Sequence, residues 1–541
     1  MSSMPRLSRL PIAVVCAASA VVVVALGTRL TFFNDDWFIL LQRPGLNADA
    51  VLAPHNGHLI ALPVLVYKAF VELFGLDSQL PFRMLLAVVI AGLGALVYVL
   101  VSERLGRVAG LVAATILVFL GPAWEDLLWS FQIGLVGSLV AGLGALLALE
   151  RDTPRRNAVA CALLVVSISC SDTGIPLVVA ATVAIALRRD PRQLWIPAVP
   201  TILFAIWWLT YGNDAPSTFS SANLRHLPGY VFDSVQSGLA STFGLNRGGW
   251  FAYSETRVSV LTAVVGLAVA AWLIRTRHAS AWVLVFLSGA LAFWGLAGAN
   301  YVAGRAPEAS RYQLVDVTFL ILIAAELFRA VRLRPWQTAS VLAVALFAFG
   351  SNIHALRNGF YFMRHHAIYA KADLGVLELA GTRTPPTLTL TEPVAGDPYL
   401  IGVIAGLYFA VIDAHGSPAT YSAAQIATAP VVHRQAADRV LVAADRLHLD
   451  SALEPASRRG CRRAATGDIE LRSGTTSVTN LGPAPLDLRI RRFGPPDSAA
   501  PVGTVLPQRT ARLAIPRDSA ALPWHLVTQG PAVFRVCGPL P

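Results

Sequence analysis

The sequence predicts a polytopic α-helical membrane protein that ends in a β-rich domain, and three observations support this prediction. The chain has 541 residues, of which 55% are hydrophobic and only 14% charged, with a mean hydropathy of +0.58. A soluble domain averages about 25% charged residues, so the composition favours an integral membrane protein. About eleven apolar runs of near-spanning length follow one another up to residue 352. Beyond residue 461, apolar and polar residues alternate instead, which is typical of β-strands.

The predicted spans follow from the rule that a transmembrane helix needs roughly 20 mostly apolar residues. We expect them near residues 11–28, 82–101, 108–122, 133–149, 157–170, 174–187, 194–211, 258–274, 280–297, 312–328 and 337–352. The first run follows basic residues, as in a signal peptide, but the many later runs favour an uncleaved anchor. After the last span, segment 353–382 is expected to form a separate outer helix.

The arginines predict which side of the membrane each hinge faces. Short hinges with at least two arginines, such as ERDTPRR and RAVRLRP, alternate with acidic or longer hinges, such as WED and the loop 212–256. By the positive-inside rule, the arginine-rich hinges and the N-terminus lie in the cytoplasm. An odd number of spans then places the C-terminal region outside the cytoplasm of a bacterium. The same rule explains most of the net charge of +11, so no nucleic-acid partner is expected.

Three regions follow from this organisation. Residues 1–352 form the predicted transmembrane domain, 353–460 a helical or mixed connecting region, and 461–541 a β-rich module. Segment 55–75 is amphipathic and interrupted by proline, which predicts a helix along the outer interface. The apolar stretch 400–412 is too short to span a bilayer, so we expect it in the core of the extracytoplasmic region.

The five cysteines divide between the two parts of the chain. Three lie in apolar runs and are expected to behave as small hydrophobic residues. Cys461 and Cys537 bracket the β-rich module, and we expect a disulfide between them, because the module is predicted to lie in an oxidising compartment. No cysteine and histidine spacing typical of a zinc site is present.

Ionisable residues concentrate at the predicted outer ends of the spans. This group contains Asp35, Asp36, His55, His58, Glu125, Asp126, Asp172, Arg305, Arg311 and Asp316. Glu326, toward the inner end of its span, is the exception. A transporter should place such residues near the bilayer midplane, often beside broken helices. The observed distribution instead favours chemistry in a cavity that opens to the outer surface.

The stretch FFNDDWF places Asp35 and Asp36 among aromatic residues one step beyond the first span. Adjacent carboxylates repel, so one of them is expected to bind a proton more readily than usual unless a cation offsets the charge. Such a carboxylate can deprotonate a hydroxyl as a general base. The alternative is an ordinary solvated loop.

The stretch GPAWEDLLWSFQIG repeats this pattern in the second outer loop. Glu125 and Asp126 precede a helix, where acids also favour the helix dipole, so a structural role is an alternative to substrate or metal binding. Trp129 is either a membrane-interface aromatic or a platform for a sugar ring. Gln132 could donate a hydrogen bond to a sugar hydroxyl.

Arg311, in the stretch ASRYQLVD, opens a later span at its outer end. A guanidinium pairs with phosphate oxygens in a planar, bidentate way, so Arg311 suits a lipid phosphate. A snorkelling interfacial arginine is the alternative. His55 and His58 lie three residues apart and could share one face, but two histidines alone are weak evidence for a metal.

Four features in this order resemble the GT-C class of membrane glycosyltransferases. They are the aspartate pair after the first span, the segment HNGHLIALPVLVYKAF, the acidic pair of the second outer loop, and SRY at the start of a later span. Within that class the chain is similar to uncharacterised actinobacterial-type members, with WEDLLWSFQIGLVGSLVAGLGALLALER the most recognisable stretch. The resemblance covers residues 10 to 350 approximately, and the C-terminal module departs from it.

The resemblance implies transfer of a sugar from a polyprenyl-phosphate donor to an acceptor on the outer face of the cytoplasmic membrane, usually with inversion. Asp36 or Asp35 would act as the base or bind the acceptor. Some members hold a divalent metal (Mg, Mn or Ca) with second-loop acids, which would be Glu125 and Asp126, whereas others need none. Arg311 would face the donor phosphate. The other residues expected to contact substrate are Tyr312, His58, His55, Trp129, Gln132, Asp172 and Arg305.

The expected acceptor is an envelope glycan, lipid or protein in cell-wall biogenesis, and the β-rich module is a candidate for binding it. Arabinose and mannose are candidate sugars, and no residue chooses between them. Two other classes remain open: a transporter or flippase of lipid-linked glycans, and a non-catalytic envelope scaffold. A transferase of phosphoethanolamine or acyl groups would need a serine, threonine or histidine constellation that the sequence does not reveal.

Overall fold

A computed structural model forms the basis of the description. It describes residues 10–246, 248–250, 258–260, 262–266, 280–329, 331, 334–391, 400, 402–452, 460–465, 467–528 and 532–540. The chain divides into two compact units. The first contains residues 1–29, 45–70 and 80–362, and the second contains 30–44, 71–79 and 363–541.

The first unit is helical. Its α-helices are α1 (Leu10–Gly27), α3 (Ala48–Leu52), α4 (Ala61–Phe74), α5 (Leu80–Leu105), α6 (Arg107–Val118), α7 (Trp124–Leu128), α8 (Ile133–Leu149), α9 (Pro154–Cys170), α10 (Gly174–Arg188), α11 (Trp195–Thr210), α12 (Ser221–Thr242), α13 (Ala281–Ala299), α14 (Ser310–Leu327) and α15 (Pro335–Ala380). The last residues of α4 and of α15 belong to the second unit. Helix α2 (Asp35–Gln42) belongs to the second unit.

Among the described residues, six helical segments are long and apolar enough to cross a membrane. They are Leu10–Gly27, Leu80–Leu105, Ser130–Leu149, Pro191–Thr210, Ala281–Ala299 and Pro335–Arg383. A seventh results if α6 and the segment Gly121–Leu128, which meet at a 42° bend, are counted as one span. The prediction of a mainly helical protein with several membrane-length apolar helices is thus confirmed, whereas eleven spans and their orientation stay predictions.

Helices also occupy most of the other predicted runs, although they do not meet the same length and polarity criterion. Helices α9 and α10 contain 17 and 15 residues, and the 18 residues of α14 include three charged ones. The predicted run 258–274 lies largely outside the described residues.

Small residues bring the helices of the first unit close together. A Cβ atom on Gly142 of α8 would lie 2.7 Å from the Cβ of Leu177 on α10, and one on Gly289 of α13 would lie 2.7 Å from the ring of Phe319 on α14. Such close approach is how helices gain packing energy where the hydrophobic effect does not drive association.

Two expectations about the loops are wrong. The predicted outer loop 212–256 contains α12, a helix of 22 residues capped by the Ser220 hydroxyl. The last predicted span and the predicted outer helix 353–382 are one continuous helix of 46 residues, α15. The change to polar composition near residue 351 suggested a boundary, but no proline interrupts the helix there, and Ser351 and Asn352 are fully buried.

Helix α2 of the second unit packs against α16 (Ala405–His415), which contains most of the apolar stretch predicted to form a core. The rings of Trp37 and Tyr408 meet at 5.6 Å, and both side chains are fully buried. The Trp37 Nε1 atom also donates a hydrogen bond to the Phe32 carbonyl oxygen at 3.1 Å. Burial raises the pKa of Tyr408 well above its usual value, and a hydrogen bond to Glu378 acts in the same direction. Helices α17 (Ala423–Ala427) and α18 (Val431–Ala444) precede the strands.

The β-rich region is confirmed and begins slightly before the predicted boundary. Its strands are β1 (Asp450–Ala452), β2 (Cys461–Ala464), β3 (Asp468–Leu471), β4 (Gly474–Asn480), β5 (Leu486–Arg491), β6 (Ala500–Val505), β7 (Thr510–Ile515), β8 (Trp524–Thr528) and β9 (Phe534–Cys537). They form two antiparallel sheets, ordered β1-β7-β4-β9-β2 and β3-β8-β5-β6. Residues along a strand alternate between buried and exposed positions, as at Leu488, Arg489 and Ile490. Cys461 and Cys537, the pair expected from the sequence, are joined by a disulfide.

A buried carboxylate connects α18 to the turn after β5. Asp438 is fully buried and accepts hydrogen bonds from the backbone N–H groups of Arg492, Phe493 and Gly494, at 2.8 to 3.0 Å. Burial raises the pKa of Asp438 to about 6, even though these three donors favour the charged form. Beside it, Arg492 pairs with both oxygens of Asp518. Burial raises the pKa of Asp518, but the pairing with Arg492 outweighs burial and lowers it overall.

Candidate functional site

The first unit contains a cavity of about 430 Å³ whose lining includes charged and hydroxyl side chains. It lies between α7, α12, the start of α14 and the middle of α15. Its lining contains Gly121, Pro122, Trp124, Glu125, Ser237, Ala240, Ser241, Asn246, Gly248, Gly304, Glu308, Ala309, Ser310, Arg311, Gln313, Ala355, Asn358, Gly359 and Phe362. Two of the residues predicted from the sequence, Glu125 and Arg311, therefore share one cavity.

Two glycines hold α7 and the preceding turn directly against α15. A Cβ atom on Gly121 would lie 2.0 Å from the carbonyl oxygen of Asn352, and one on Gly359 would lie 2.2 Å from the indole of Trp124. Because Cβ atoms do not approach other atoms this closely, any larger residue here would separate the helices. The backbone N–H of Glu125 donates to the Ser310 hydroxyl at 3.0 Å, which fixes α7 to the start of α14.

Arg311 contributes its side chain to the lining of the cavity. Its Nη2 atom donates to the carbonyl oxygen of Gly304 at 2.9 Å, and its Nε atom is buried without a hydrogen-bond partner among the described residues. A guanidinium that is held at one nitrogen can bind an oxyanion through another without a large loss of side-chain freedom. The arrangement suits a phosphate or another anion with several oxygen atoms.

Gln313 supports the cavity from one side and was not identified from the sequence. Its Oε1 atom accepts hydrogen bonds from the hydroxyls of Ser237 at 3.1 Å and Ser241 at 2.7 Å, and its Nε2 atom donates to the Pro307 carbonyl oxygen at 2.8 Å. The two serines lie four residues apart, and therefore on one face of α12. The only available signal was this spacing, in a segment that the sequence predicts as a loop.

The acidic pair of α7 divides between two environments. Glu125 lines the cavity, whereas Asp126 is fully buried. The Asp126 carboxylate lies near the backbone N–H of Leu314, and Glu125, Arg311 and Asp316 act on it electrostatically. Asp316 is also buried, and its Oδ1 atom accepts a hydrogen bond from Trp294 Nε1 at 2.7 Å.

A metal held by Glu125 and Asp126 does not fit this arrangement. Glu125 lines the cavity, whereas Asp126 is fully buried and does not line it. Across the described part of the chain, no group of three or more histidine, cysteine, aspartate or glutamate side chains is arranged to hold a metal ion. We therefore derive no step through a metal.

His58 and Asp172 form a dyad in the first unit, 114 residues apart in sequence. His58 Nδ1 lies 2.6 Å from Asp172 Oδ2, and the Leu59 N–H donates to Asp172 Oδ1 at 3.3 Å. An ionised carboxylate can only accept, so Nδ1 carries the proton in this hydrogen bond, and in the neutral ring Nε2 is then the nitrogen that can accept a proton. A tight turn presents the ring: His55 and His58 exchange backbone hydrogen bonds at 3.0 and 2.8 Å, and Asn56 and Gly57 have positive φ angles. The His58 side chain is 42% exposed, so a substrate can reach it.

Several other predicted contact residues are engaged within the protein. Trp129 and Gln132 are buried, and the Trp129 ring packs on Phe131 at 5.5 Å, so neither side chain is presented to solvent. Arg305 donates to the Thr218 hydroxyl at 3.1 Å. Two more predicted residues pack on phenylalanine rings: His55 on Phe131 and Tyr312 on Phe293. The backbone of Arg305 is also engaged, because Tyr230 donates a hydrogen bond to its carbonyl oxygen.

Asp35 and Asp36 belong to the second unit, at the start of α2. The Asp36 side chain is fully buried, and its Oδ2 atom accepts the Phe33 N–H at 2.9 Å. This bond closes the first turn of the helix, which gives Asp36 a structural role. Asp35 is only partly buried and is the member of the pair that solvent reaches.

Glu326, the exception in the polar pattern, has a buried ion-pair partner. Its carboxylate pairs with Arg104 Nε, and Arg104 Nη2 also lies 2.6 Å from Glu150 Oε1. Arg104 Nη1 donates to the Leu100 carbonyl oxygen at 2.8 Å. The ion pair with Arg104 accounts for the burial of Glu326 without a ligand.

Comparison with known proteins adds no relative. No protein-family model matches the chain, and no curated protein is significantly similar to it in sequence. The fold and the cavity define a protein with several membrane-length apolar helices, a charged and hydroxyl-rich cavity, and a β-rich C-terminal region.

Proposed function

We propose that the chain is an inverting glycosyltransferase of the bacterial cytoplasmic membrane. It takes a sugar from a polyprenyl-phosphate donor and transfers it to an envelope glycan, lipid or protein acceptor on the outer face. The N-terminus then lies in the cytoplasm and the β-rich region outside it, as the distribution of arginines indicates.

The observation that supports this proposal most directly is that Arg311 and Glu125 line the same cavity. Polyprenyl phosphate is a good leaving group once a cation offsets its charge, and the Arg311 guanidinium in the cavity lining supplies such a cation. The apolar helices around the cavity fit a donor whose long chain stays in the bilayer. Carboxylate, amide and hydroxyl groups in the lining offer partners to sugar hydroxyls.

Chemically, the acceptor oxygen forms a bond to the anomeric carbon while the bond from that carbon to the phosphate oxygen breaks. The electron pair leaves with the phosphate, and the acceptor proton passes to a base. Two candidates for the base have different supports. The resemblance points to the aspartate pair, of which Asp35 is the accessible member, whereas His58 has its tautomer fixed by Asp172.

A transfer assay on the purified chain in nanodiscs tests the proposal. The donors are synthetic polyprenyl-phosphate sugars, arabinose and mannose first, and the readout is release of polyprenyl phosphate. We expect Arg311→Gln and Glu125→Gln to lower the rate at least tenfold, because one transition-state contact to charge is worth at least 1.4 kcal/mol. Arg107→Gln, which removes an exposed arginine at the start of α6, is the matched control and should leave the rate unchanged.

Parallel variants identify the base. We expect the transfer rates of Asp35→Asn and His58→Gln to differ. The rate should fall about 10²- to 10⁴-fold only in the variant that loses the proton acceptor. A chelator lane tests for a metal requirement independently. If no donor is consumed while labelled donor moves between leaflets, the protein is a flippase. If neither occurs and all variants match the wild type in cells, a scaffold role replaces catalysis.

A further inference from the structure

Charge is unevenly divided between the two sheets of the β-rich region. Residues 461–541 contain ten arginines, no lysine and five acidic residues, a net charge of +5. Two of the acids pair with arginines at the end of the four-stranded sheet: Asp468 with Arg491, and Asp518 with Arg492. The described strands of the five-stranded sheet carry Arg462, Arg463, Arg512 and Arg535, against one acid, Asp450.

The strand register places the arginines of the five-stranded sheet on its outer face. Val478 and Val536 point into the buried interior. Because side chains alternate along a strand, Thr479, which follows Val478, and Arg535, which precedes Val536, point outward. Arg463 is directly opposite Arg535, and Arg535 is directly opposite Thr479. Arg463, Arg512 and Arg535 are exposed. We call this outward surface, with Thr479 and Thr510, the arginine face.

Two arginines, Arg463 and Arg535, stand side by side on this face, and no carboxylate among the described residues pairs with either. Directly opposed residues of an antiparallel pair have Cβ atoms about 5 Å apart, and like charges there repel. Neither Arg463 nor Arg535 has an ion pair with a described acidic residue. The Cys461–Cys537 disulfide joins the same two strands, two residues away on the same face, and so holds the arginines in register. A bound anion would relieve the repulsion that this register imposes.

The chemistry of the arginine face favours a glycan over a membrane surface. Next to the arginines lie hydroxyls: Thr479 is opposite Arg535, and Thr479 Oγ1 and Thr510 Oγ1 form a hydrogen bond at 2.9 Å. Arg512 is opposite Asp450 on one side and the buried Ser477 on the other. A membrane-binding surface would add exposed tryptophan or phenylalanine to its cations, and the described strands of this sheet expose neither. From β2 to β7 the face spans three strand spacings, about 14 Å. Such a cationic strip with neighbouring threonine hydroxyls suits an extended polymer with repeated negative charges.

We propose that the arginine face binds an anionic glycan, with carboxylate or phosphate groups contacting Arg463 and Arg535 and sugar hydroxyls contacting the threonine row. Only the role of this glycan as acceptor rests on the proposed function; binding itself does not. The arginines would hold the polymer through charge, so the affinity falls steeply with salt.

A binding experiment on the full chain tests this inference. The protein is held in phosphatidylcholine nanodiscs, and oligogalacturonate is the probe, with its fully methyl-esterified form as the uncharged control of the same backbone. We expect binding of oligogalacturonate but not of the ester. The variant Arg463→Gln/Arg535→Gln should weaken binding about tenfold or more. Arg472→Gln/Arg509→Gln removes two exposed arginines from turns of the same region and should bind like the wild type.

Three results would overturn the inference. They are equal binding of the acid and its ester, wild-type affinity in the Arg463→Gln/Arg535→Gln variant, and binding of phosphatidylglycerol vesicles without binding of the glycan. Free thiols are counted in each variant, because an intact disulfide shows that β2 and β9 are still paired. Binding of the glycan without sugar transfer would support this inference and contradict the proposed function. Sugar transfer without binding of the glycan would support the proposed function and contradict this inference.

Discussion

Arg104 is a buried charged residue of the helical unit, and its replacement by glutamine tests how the unit tolerates buried charge. The side chain is 4% exposed and pairs with Glu326, which is fully buried, and with Glu150. Arg104→Gln leaves two carboxylates without their shared cation. Arg329 cannot replace it well, because its Nη1 atom lies 3.9 Å from Glu326 and its side chain is 58% exposed.

The magnitude follows from the asymmetry of this triad. Removing one partner of a buried pair costs about 3–5 kcal/mol, and we expect this loss for Arg104→Gln. Glu326→Gln should cost only about 1–3 kcal/mol, because Arg104 keeps Glu150 at 2.6 Å. The double variant should cost less than the sum of the two single losses, since only the Glu150 carboxylate, and no longer the fully buried Glu326, is then left without its cation.

Unfolding of the purified protein by denaturant in mixed micelles measures these losses. Arg107→Gln is the control, because Arg107 lies three residues further along the chain and is exposed; it should change the free energy of unfolding by less than about 0.5 kcal/mol. Equal losses for Arg104→Gln and Arg107→Gln, or strict additivity in the double variant, would refute the reasoning.

Three further predictions concern the second unit and the cavity. Burial raises the pKa of Asp438 to about 6, so the native state binds more protons than the unfolded state, and the unfolding free energy of the β-rich region should fall by roughly 3 kcal/mol from about pH 4 to about pH 6. Asp438→Asn should abolish this fall, as measured by amide hydrogen exchange and compared at each pH. Replacing Cys461 and Cys537 by serine should cost about 2–5 kcal/mol, seen as faster amide exchange in β9; unchanged exchange would contradict it. Gly359→Ala should displace α7 and impair sugar transfer, whereas Gly295→Ala, with no atom near its added Cβ, should not.

The helical architecture could be predicted because apolar runs and arginine-rich hinges are local signals. Local polarity misled the prediction where helices are amphipathic or long. Helix α12 has serines at 237 and 241 on one face and was predicted as a loop, and α15 continues through a polar stretch that was predicted as a boundary. The polarity of a segment indicates whether it contacts water. Whether the segment is helical depends on its backbone hydrogen bonds and on its tertiary contacts.

The candidate site was predictable in its residue types and not in its pairings. Arg311 and Glu125 were both selected from the sequence, but only the packing of α7 on α14 and α15 shows that they share a cavity. The His58–Asp172 dyad joins residues 114 positions apart, and no local pattern encodes that contact. Asp126 looked equivalent to Glu125, yet adjacent residues of a helix point in different directions, and one of the two is buried.

The most direct test of the central claim is the release of polyprenyl phosphate from a synthetic lipid-phosphate sugar by the purified chain, measured for the wild type and Arg311→Gln. We expect turnover of at least one donor by the wild type, and a rate at least tenfold lower in the variant, with the sugar recovered on an acceptor in inverted configuration. No turnover of any donor by a folded wild-type protein, or equal turnover by Arg311→Gln, would contradict it.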